Sequence, residues 1–484
     1  MAASLMIQGT MSNVGKSLIT AGLCRVFSED GFRVSPFKSQ NMALNSFVTR
    51  DGLEMGRAQA MQAYCAGKEP DVRMNPVLLK PVNDRGSEVI VMGEPQNVMK
   101  AKDYLSYKKE LLPVIKEAYD SLSKENDIIV IEGAGSPVEM NLKRDDIVNM
   151  GLAELVDAKV LLVGDVDRGG VFAQLLGTLD LLSKSERERV CGLIVNKLRG
   201  DLSLFDDGVR IIEEKGKKPV LGVLPYIHIN VEDEDSLSEF LERGRRVSNS
   251  ALDIAVLKTG RISNYTDIYP FLSIDRVSVR FIERPEEIGD ADIIIIPGSR
   301  NTIGDLRRLK TGGFSEALHE YSKRRPVIGI CGGLQMLGTL VSDPENTEEG
   351  GEEEGFSLLP IKTILTKEKK KRQTVGRFEK LTGPFQSLSG KEFSGYEIHT
   401  GRSFLLSNGD EITTLQNGNV FGTYIHGFLD NGSLALDLSE ALSKEPLSKG
   451  LSFSEYREAQ HSRLSAMIRE NLDIEAIYRE LSVK

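Results

Sequence analysis

The first half of the chain alternates short apolar runs with longer stretches of helical periodicity, and this alternation limits the fold more than any other feature. Each apolar run is bounded by Gly, Pro or Asn and contains few polar residues. Strands of that composition are typical of a parallel sheet covered on both faces. The sequence therefore predicts a doubly wound α/β domain. The predicted strands are residues 5–8, 32–36, 127–132, 159–164, 191–196 and 220–224.

A polar segment at residues 236–250 is predicted to be a linker, because it has little apolar periodicity. Strand-like runs resume after it, so a second α/β domain is expected. Its predicted strands are residues 252–257, 276–281, 292–297, 326–331, 396–399 and 419–426. The predicted organisation is a first domain at 1–235, the linker, a second domain at 251–440 and a helical segment at 441–484. An acidic run at 348–354 and a basic run at 367–372 are interpreted as solvated faces or a mobile loop, without chemistry.

Composition excludes several classes of protein. The formal net charge of −10 argues against a nucleic acid partner. No apolar window is long enough to span a membrane, and the N-terminus lacks the pattern of a signal peptide. The four cysteines are too few and too scattered for a disulfide framework. We therefore expect a soluble cytoplasmic protein, and the sequence leaves its oligomeric state open.

A glycine-rich loop follows the first predicted strand and precedes a predicted helix. Such a loop directs backbone N–H groups at phosphate oxygens. The glycine spacing is one residue longer than in an ordinary P-loop, because Thr10 stands where the first glycine would be. We expect Lys16 to reach the β- and γ-phosphates and the Ser17 hydroxyl to bind Mg²⁺. The predicted nucleotide-binding residues are Gly9, Thr10, Asn13, Gly15, Lys16 and Ser17.

Acidic residues end two further predicted strands, at the sheet edge where open parallel sheets bind ligands. Glu132 is a predicted magnesium ligand, with a helix cap as the alternative. Asp165, Asp167 and Arg168 end the next strand in the layer, where a structural turn and a functional site are both open. Residues 196–197 either read the nucleotide base or form a plain turn.

The turn at Cys331 joins an apolar strand to a helix and has glycines on both sides, which is the pattern of a nucleophile elbow. We expect the helix N-terminus behind it to favour the reactive thiolate. A cysteine nucleophile needs a base, and His426, at the end of a predicted strand, is our choice. His399 also ends a strand and is the rival. The residues expected to form the oxyanion hole and bind the acyl substrate are Gly298, Gly332 and Gln335.

Cys331, the turn at Gly298 and the late His426 together resemble a class I glutamine amidotransferase domain. That resemblance implies glutamine hydrolysis through a cysteinyl thioester, with release of ammonia. Most members of the class carry a glutamate two positions after the histidine, where this chain has Phe428. The cobyric acid synthase branch shares this departure. The resemblance to that branch implies catalysis by the cysteine and the histidine alone.

The first half resembles dethiobiotin synthetase, whose relatives use the same stretched loop to activate a carboxyl group with ATP. With the motifs at residues 38–46, 75–81 and 395–399, the whole chain resembles the adenosylcobyric acid synthase family. The resemblance implies ATP, Mg²⁺ and L-glutamine as reactants, and four amidations of a corrinoid, at its b, d, e and g carboxylates. Possible contacts to that corrinoid, with ordinary loop chemistry as the alternative, are Gln40, Asn41, Asn45, Lys80, Asp165, Asp167, Arg168 and His399.

Two alternatives to this function stay open. One is the sister synthase that amidates the a and c carboxylates, which the asparagine-rich segment after Lys38 and the early loop at Gly9 disfavour. The other is a nonenzymatic P-loop switch fused to a degenerate glutaminase domain, which an intact Cys331 and His426 disfavour.

Overall fold

The structure is a computed structural model and describes residues 2–83, 86–227, 229–231, 239–447 and 451–483. The chain forms two compact units. The first contains Met1–Met42, Met55–Val231 and Glu458–Lys484, and the second contains Ala43–Glu54 and Glu232–Arg457. Residues 43–54 and 458–484 therefore group with a different unit from their neighbours in the chain. Of the predicted linker, residues 236–238 lie outside the described residues.

The first unit is built on a six-stranded parallel sheet, and the predicted doubly wound fold is confirmed. All six predicted strands are present within a few residues of their expected ends. Across the sheet they run Val220–Pro225, Val190–Leu198, Lys159–Asp165, Ala3–Gly9, Ile128–Glu132 and Val34–Phe37. Among its helices are Lys16–Glu29, Arg57–Cys65, Leu112–Glu125, Met150–Leu155, Val171–Leu181, Lys184–Arg189 and Asp206–Gly216.

One core of this unit joins the central strands to helices from both ends of the chain. Leu5 and Val130 of the sheet are fully buried with Leu23 of the first helix. Leu464 and Ile477 pack into the same core from the last two helices, Phe453–Asn471 and Ile474–Leu481. The C-terminal residues are thus part of this unit's hydrophobic core.

A second, smaller sheet in the first unit was not expected from the sequence. Its strands are Gln40–Met42, Val77–Asn83, Gly86–Val91 and Glu94–Lys100, and the helix Ala101–Tyr107 follows the last of them. The first pair is parallel and the other pairs are antiparallel. These strands mix polar and apolar residues, so they lack the apolar pattern that identified the main sheet.

The second unit has its own doubly wound sheet, as predicted. Its order is Val277–Ile282, Leu252–Leu257, Ile293–Ile296, Val327–Ile330, Val420–Thr423 and Thr414–Asn417, and only the last pairing is antiparallel. Its helices are Glu239–Arg243, Thr302–Thr311, Phe314–Ser322, Gly332–Leu337 and Leu434–Leu442. Its remaining strands are Ser46–Val48, Ile262–Ser263, Gly298–Ser299, Leu340–Asp343, Gly351–Glu354, Ile361–Arg377, Glu392–Leu405, Glu411–Ile412 and Ile425–His426.

The predicted strand at residues 419–426 is two strands, and the prediction of one continuous strand is wrong. Val420–Thr423 lies in the parallel sheet, whereas Ile425–His426 pairs with the long strand Glu392–Leu405. The Thr423 hydroxyl accepts a hydrogen bond from the Ile425 amide at 3.1 Å, and this local bond turns the backbone away from the first ladder. The break moves His426 to a different sheet from the rest of the run.

Candidate functional site

Cys331 lies at the turn between the strand Val327–Ile330 and the helix Gly332–Leu337. Its backbone angles, φ 53° and ψ −104°, are ones that a residue with a side chain rarely adopts. The helix approaches the sheet closely, since a Cβ at Gly333 would lie 2.0 Å from the carbonyl oxygen of Ile296. The turn therefore has the strained geometry of a nucleophile elbow, and the Cys331 side chain is largely buried.

The imidazole of His426 is held by a carboxylate. Its Nδ1 lies 2.7 Å from Oδ2 of Asp267, and Oδ1 of Asp267 accepts a second hydrogen bond from the Gly427 amide at 2.8 Å. Nε2 of His426 is buried and has no hydrogen-bond partner among the residues that the structure describes. Burial alone would lower the pKa of His426, but attraction to Asp267, with a contribution from Cys331, raises it to about 10. The contribution of Cys331 to this rise places its side chain close to the His426 imidazole.

The sequence does not predict a functional role for Asp267. It lies in the short 3-10 helix Tyr265–Ser273, which precedes Cys331 in the chain. The place where class I enzymes carry their glutamate is filled by Phe428, whose ring packs near Phe378 and Phe421 in the core. No pattern around Asp267 marks it, because its role depends on a contact across the fold.

His399, the alternative candidate for the base, has a hydrogen-bond partner at each ring nitrogen. Its Nδ1 lies 2.6 Å from the Gly401 carbonyl and its Nε2 lies 3.2 Å from the Glu397 carboxylate. Its ring stacks on Tyr424, with centroids 3.8 Å apart. Burial lowers the pKa of His399, although Glu397 opposes this. The geometry therefore favours His426 over His399 as the partner of the cysteine.

Gly298 and Gly332 both lie beside the cysteine turn. A Cβ at Gly332 would come within 2.7 Å of the Ser299 amide nitrogen, and a Cβ at Gly298 would lie 3.4 Å from Cε1 of His426. Gly298–Ser299 pairs with Ile262–Ser263, which fixes this strand in place. The two predicted oxyanion glycines thus lie close together, and Gly298 lies beside His426.

Thr302 lies between Gln335 and Glu348, a member of the acidic run for which the sequence predicts no chemistry. The Thr302 hydroxyl is 3.0 Å from Oε1 of Gln335 and 3.3 Å from Oε1 of Glu348. The other Glu348 oxygen accepts the Thr302 amide hydrogen at 2.5 Å. Burial raises the pKa of Glu348 to about 7, although Arg300 and the Thr302 amide oppose that rise. Glu348, a half-buried member of the acidic run, is thus linked to Gln335 through Thr302.

The glycine-rich loop of the first unit has the predicted strand-loop-helix context. Gly15 has φ 97° and immediately precedes the helix Lys16–Glu29, whose first amides have no partner within the helix. A Cβ at Gly15 would also lie 2.3 Å from the Asn196 side chain. Nζ of Lys16 donates to the carbonyls of Met11 and Gly135 at 2.9 and 3.1 Å.

Thr10, a predicted residue of this loop, already uses both of its donors in hydrogen bonds within the protein. The Thr10 amide bonds the Val163 carbonyl at 2.9 Å, and the Thr10 hydroxyl donates to Gln174 at 3.2 Å. Asn13 has a positive φ of 59° and lies exposed at the tip of the loop. A Cβ at Gly9 would lie 2.4 Å from the Val14 side chain, so Gly9 is required for the loop to fold back.

Glu132 collects donors from three parts of the first unit. Its Oε1 is 2.7 Å from the Ser17 hydroxyl and 2.8 Å from Nζ of Lys38, and its Oε2 is 2.6 Å from Nε2 of Gln62. Both charged partners are buried, Glu132 at 1% and Lys38 at 5% exposure. An ion pair this deep needs such additional hydrogen bonds. Lys38 therefore belongs to the phosphate-loop region, a position that the sequence analysis did not assign to it.

The strand-end residues after Glu132 form a network of their own. Asp165 caps its turn by accepting the Asp167 amide at 2.8 Å and pairs with Lys197 at 2.9 Å. Asp167 pairs with Arg199, and Arg168 is exposed. The two acids thus have structural partners in neighbouring basic side chains, whereas Arg168 extends into solvent.

The proposed corrinoid contacts fall in different places. Gln40 accepts a hydrogen bond from the Tyr104 hydroxyl at 2.5 Å, and Asn41 donates to Gln59 at 2.9 Å. Lys80 is buried in the small sheet. Asn45 groups with the second unit and is buried there. Its side-chain amide has no hydrogen-bond partner among the described residues.

Comparison with known proteins identifies the two halves separately. Residues 253–434 match the CobB/CobQ-like glutamine amidotransferase domain, and residues 3–232 match an AAA domain. Across the described part of the chain, no helix is long and apolar enough to cross a membrane.

Curated relatives match the chain over its whole length. A cobyric acid synthase of Ruminiclostridium cellulolyticum is 50% identical, covering 99% of this chain and 97% of the relative. The cobyric acid synthase of Lachnoclostridium phytofermentans is 48% identical, covering 99% of both chains. That of Caldanaerobacter subterraneus subsp. tengcongensis is 45% identical, covering 99% of this chain and 98% of the relative. The chain belongs to the cobyric acid synthase family of glutamine-dependent amidotransferases.

Proposed function

We propose that this protein amidates the b, d, e and g carboxylates of adenosylcobyrinic acid a,c-diamide, using ATP and ammonia taken from glutamine. A carboxylate is a poor electrophile, so its amidation needs both an activating group and a source of nitrogen. The observation that carries the proposal is the presence of both kinds of site in one chain. Cys331 lies with His426 in one unit, and Lys16 lies with Glu132 in the other.

In the glutaminase reaction, His426 holds the proton that the Cys331 thiol gives up, and the Cys331 sulfur attacks the carboxamide carbon of glutamine. The negative charge that develops on the carboxamide oxygen is stabilised by amides at Gly298 and Gly332. His426 protonates the leaving nitrogen, the carbon–nitrogen bond breaks, and ammonia departs. Water, deprotonated by His426, then hydrolyses the thioester to glutamate and restores the thiol. Asp267 keeps the imidazole in one orientation through both steps.

We further propose that Glu348 and Gln335 recognise glutamine itself. Free glutamine carries an α-ammonium group, which a half-buried carboxylate can bind and which ammonia lacks. Thr302 connects the Glu348 carboxylate to Gln335. Gln335 lies one helical turn after Cys331. Its partly buried position strengthens the interaction with a cation.

In the synthetase reaction, a carboxylate oxygen of the substrate attacks the γ-phosphorus of ATP, and ADP leaves. Ammonia then attacks the acyl carbon, and phosphate leaves with the electrons of the broken carbon–oxygen bond. The ammonium groups of Lys16 and Lys38 neutralise charge on the transferred phosphoryl group. Lys80 and the exposed Arg168 are cations suited to hold the substrate carboxylates.

The donor set beside the phosphate loop fits a magnesium ion bound together with a nucleotide. Ser17 and Glu132 offer hydroxyl and carboxylate oxygens, the hard ligands that Mg²⁺ takes. Among the described residues, no group of three or more His, Cys, Asp or Glu side chains is placed to hold a metal. Ser17 and Glu132 would therefore share the ion with phosphate oxygens. When bound, Mg²⁺ would offset the charge of the phosphates.

Mass spectrometry of the corrinoid product tests the proposal. Each exchange of a carboxylate for an amide changes the product mass by the same fixed amount, so the number of exchanges is counted directly. Four exchanges support the proposal. Two exchanges, starting from a substrate whose a and c carboxylates are free, would instead indicate the sister synthase. Absence of any exchange with ATP, glutamine and Mg²⁺ would favour the nonenzymatic switch.

A further inference from the structure

The segment Ala43–Glu54 comes from the first half of the sequence but is part of the second unit. Its strand Ser46–Val48 has two fully buried residues, Ser46 and Val48. Glu54 forms an ion pair with Lys369 at 2.6 Å, and both side chains are buried. This ion pair joins the end of the segment to the strand Ile361–Arg377.

Ser46 is held through its backbone by two residues on different elements. The Ser46 amide donates to Oδ1 of Asn264 at 3.0 Å, and the Ser46 carbonyl accepts the Tyr396 hydroxyl at 3.1 Å. Asn264 immediately precedes the 3-10 helix Tyr265–Ser273, which carries Asp267. One side of the Ser46 backbone therefore contacts the element that orients His426.

The Ser46 carbonyl is connected to His426 through Tyr396. The Tyr396 ring stacks on the imidazole of His426, with centroids 5.4 Å apart and planes inclined by 26°. Tyr396 and His426 are also register partners in the antiparallel strand pair. A Cβ at the preceding Gly395 would lie 2.3 Å from the His426 carbonyl oxygen, so the two strands approach closely there.

We propose that Tyr396 and Asn264 are positioning residues for His426, and that the Ser46 backbone connects them. Tyr396 limits the tilt of the imidazole, while Asn264 fixes the helix that supplies Asp267. Together they set the distance from Nε2 of His426 to the sulfur of Cys331. The segment Ala43–Glu54 is thus a functional part of the glutaminase, contributed by the synthetase half of the sequence. The proposal rests on the proposed role of His426 as proton carrier in glutamine hydrolysis.

The variant Tyr396→Phe removes the hydroxyl but keeps the ring that stacks on His426. We expect kcat for glutamine hydrolysis to fall about tenfold, because small errors in the position of a catalytic group are costly. KM for glutamine and amidation driven by free ammonia should stay unchanged. The matched control is Tyr321→Phe, since the Tyr321 hydroxyl also donates to a backbone carbonyl, that of Ala291, at 2.9 Å. We expect normal kinetics from the control.

Asn264 offers a second, independent test. Its φ of 52° is left-handed, so Asn264→Gly removes the acceptor without adding backbone strain. Asn264→Asp keeps an acceptor oxygen for the Ser46 amide. We expect the glycine variant to lose kcat like Tyr396→Phe and the aspartate variant to retain most of it.

Three outcomes would overturn the proposal. One is unchanged kcat in both Tyr396→Phe and Asn264→Gly. Another is a parallel loss of ammonia-driven amidation, which would show general destabilisation instead of mispositioning. The third is an equal loss in Asn264→Asp and Asn264→Gly. If Cys331→Ala itself retained glutaminase activity, the proposed function would fail first, and this separates the two failures.

Discussion

Nδ1 of His426 lies 2.7 Å from the carboxylate of Asp267, although 159 positions of the chain separate the two residues. The contact fixes Nδ1 as the nitrogen that faces the carboxylate, and Nε2 is buried with no hydrogen-bond partner among the described residues. In the proposed mechanism Asp267 takes the place of the class I glutamate, while Phe428 fills the usual glutamate position with a core side chain.

The variant Asp267→Asn should lower kcat for glutamine hydrolysis by about 10²- to 10⁴-fold, because the amide no longer stabilises the imidazolium. KM for glutamine should change little. Steady-state kinetics with glutamine, and separately with ammonia, measure both effects. The control is Asp253→Asn, which alters another carboxylate of this unit, paired with Arg280 at 2.9 Å. Normal glutamine hydrolysis in Asp267→Asn would exclude Asp267 from the mechanism.

The Asp267–His426 pair also predicts how stability depends on pH. The folded pKa of His426 is raised from 6.5 to about 10, so the folded state holds this proton more tightly than the unfolded state does. Its contribution to the free energy of unfolding is complete below about pH 6.5 and is lost as pH rises towards about 10. Thermal unfolding of the wild type and of Asp267→Asn should therefore differ most at mildly acidic pH. A difference that grows as pH rises would contradict this assignment.

Lys16→Ala should abolish amidation with either nitrogen source, since both routes need the activated carboxylate. Glutamine hydrolysis by the same variant should persist, because Cys331 and His426 belong to the other unit. The matched control is Lys116→Ala, which removes a lysine from a surface ion pair with Asp120. Product formation by Lys16→Ala at a normal rate with free ammonia would be incompatible with the proposed activation step.

Glu348→Gln should raise KM for glutamine about tenfold or more, because a charge-assisted hydrogen bond to the α-ammonium group is lost. Amidation with ammonia should not change. Glu352→Gln, an exposed carboxylate of the same acidic run, should behave like the wild type. An equal effect of the two substitutions would show that Glu348 acts only through general charge.

The parts of the fold that follow local patterns were predictable from the sequence. The strand Leu252–Leu257 was predicted with its observed bounds, because a buried parallel strand is a continuous apolar run. The phosphate loop was also predictable from the sequence, because its residues are contiguous. The strand Glu392–Leu405 was predicted only at residues 396–399, because much of its length is polar or exposed.

The parts that depend on contacts across the fold were not predictable in this way. Asp267, Glu348 and Lys38 act through partners far along the chain, and neither periodicity nor spacing records such contacts. The charge of the acidic run indicates solvent exposure, yet Thr302 connects one of its members to Gln335. The segment Ala43–Glu54 likewise lies in the first half of the sequence but folds with the second unit.

Cys331→Ala tests the division of labour between the two units most directly. The variant is supplied with ATP, Mg²⁺ and the corrinoid, and either glutamine or ammonia, and both glutamate release and product mass are measured. We predict no glutamate release, no amidation with glutamine, and full amidation with ammonia. Continued glutamate release, or failure with ammonia in a variant that unfolds at the wild-type temperature, would contradict the account.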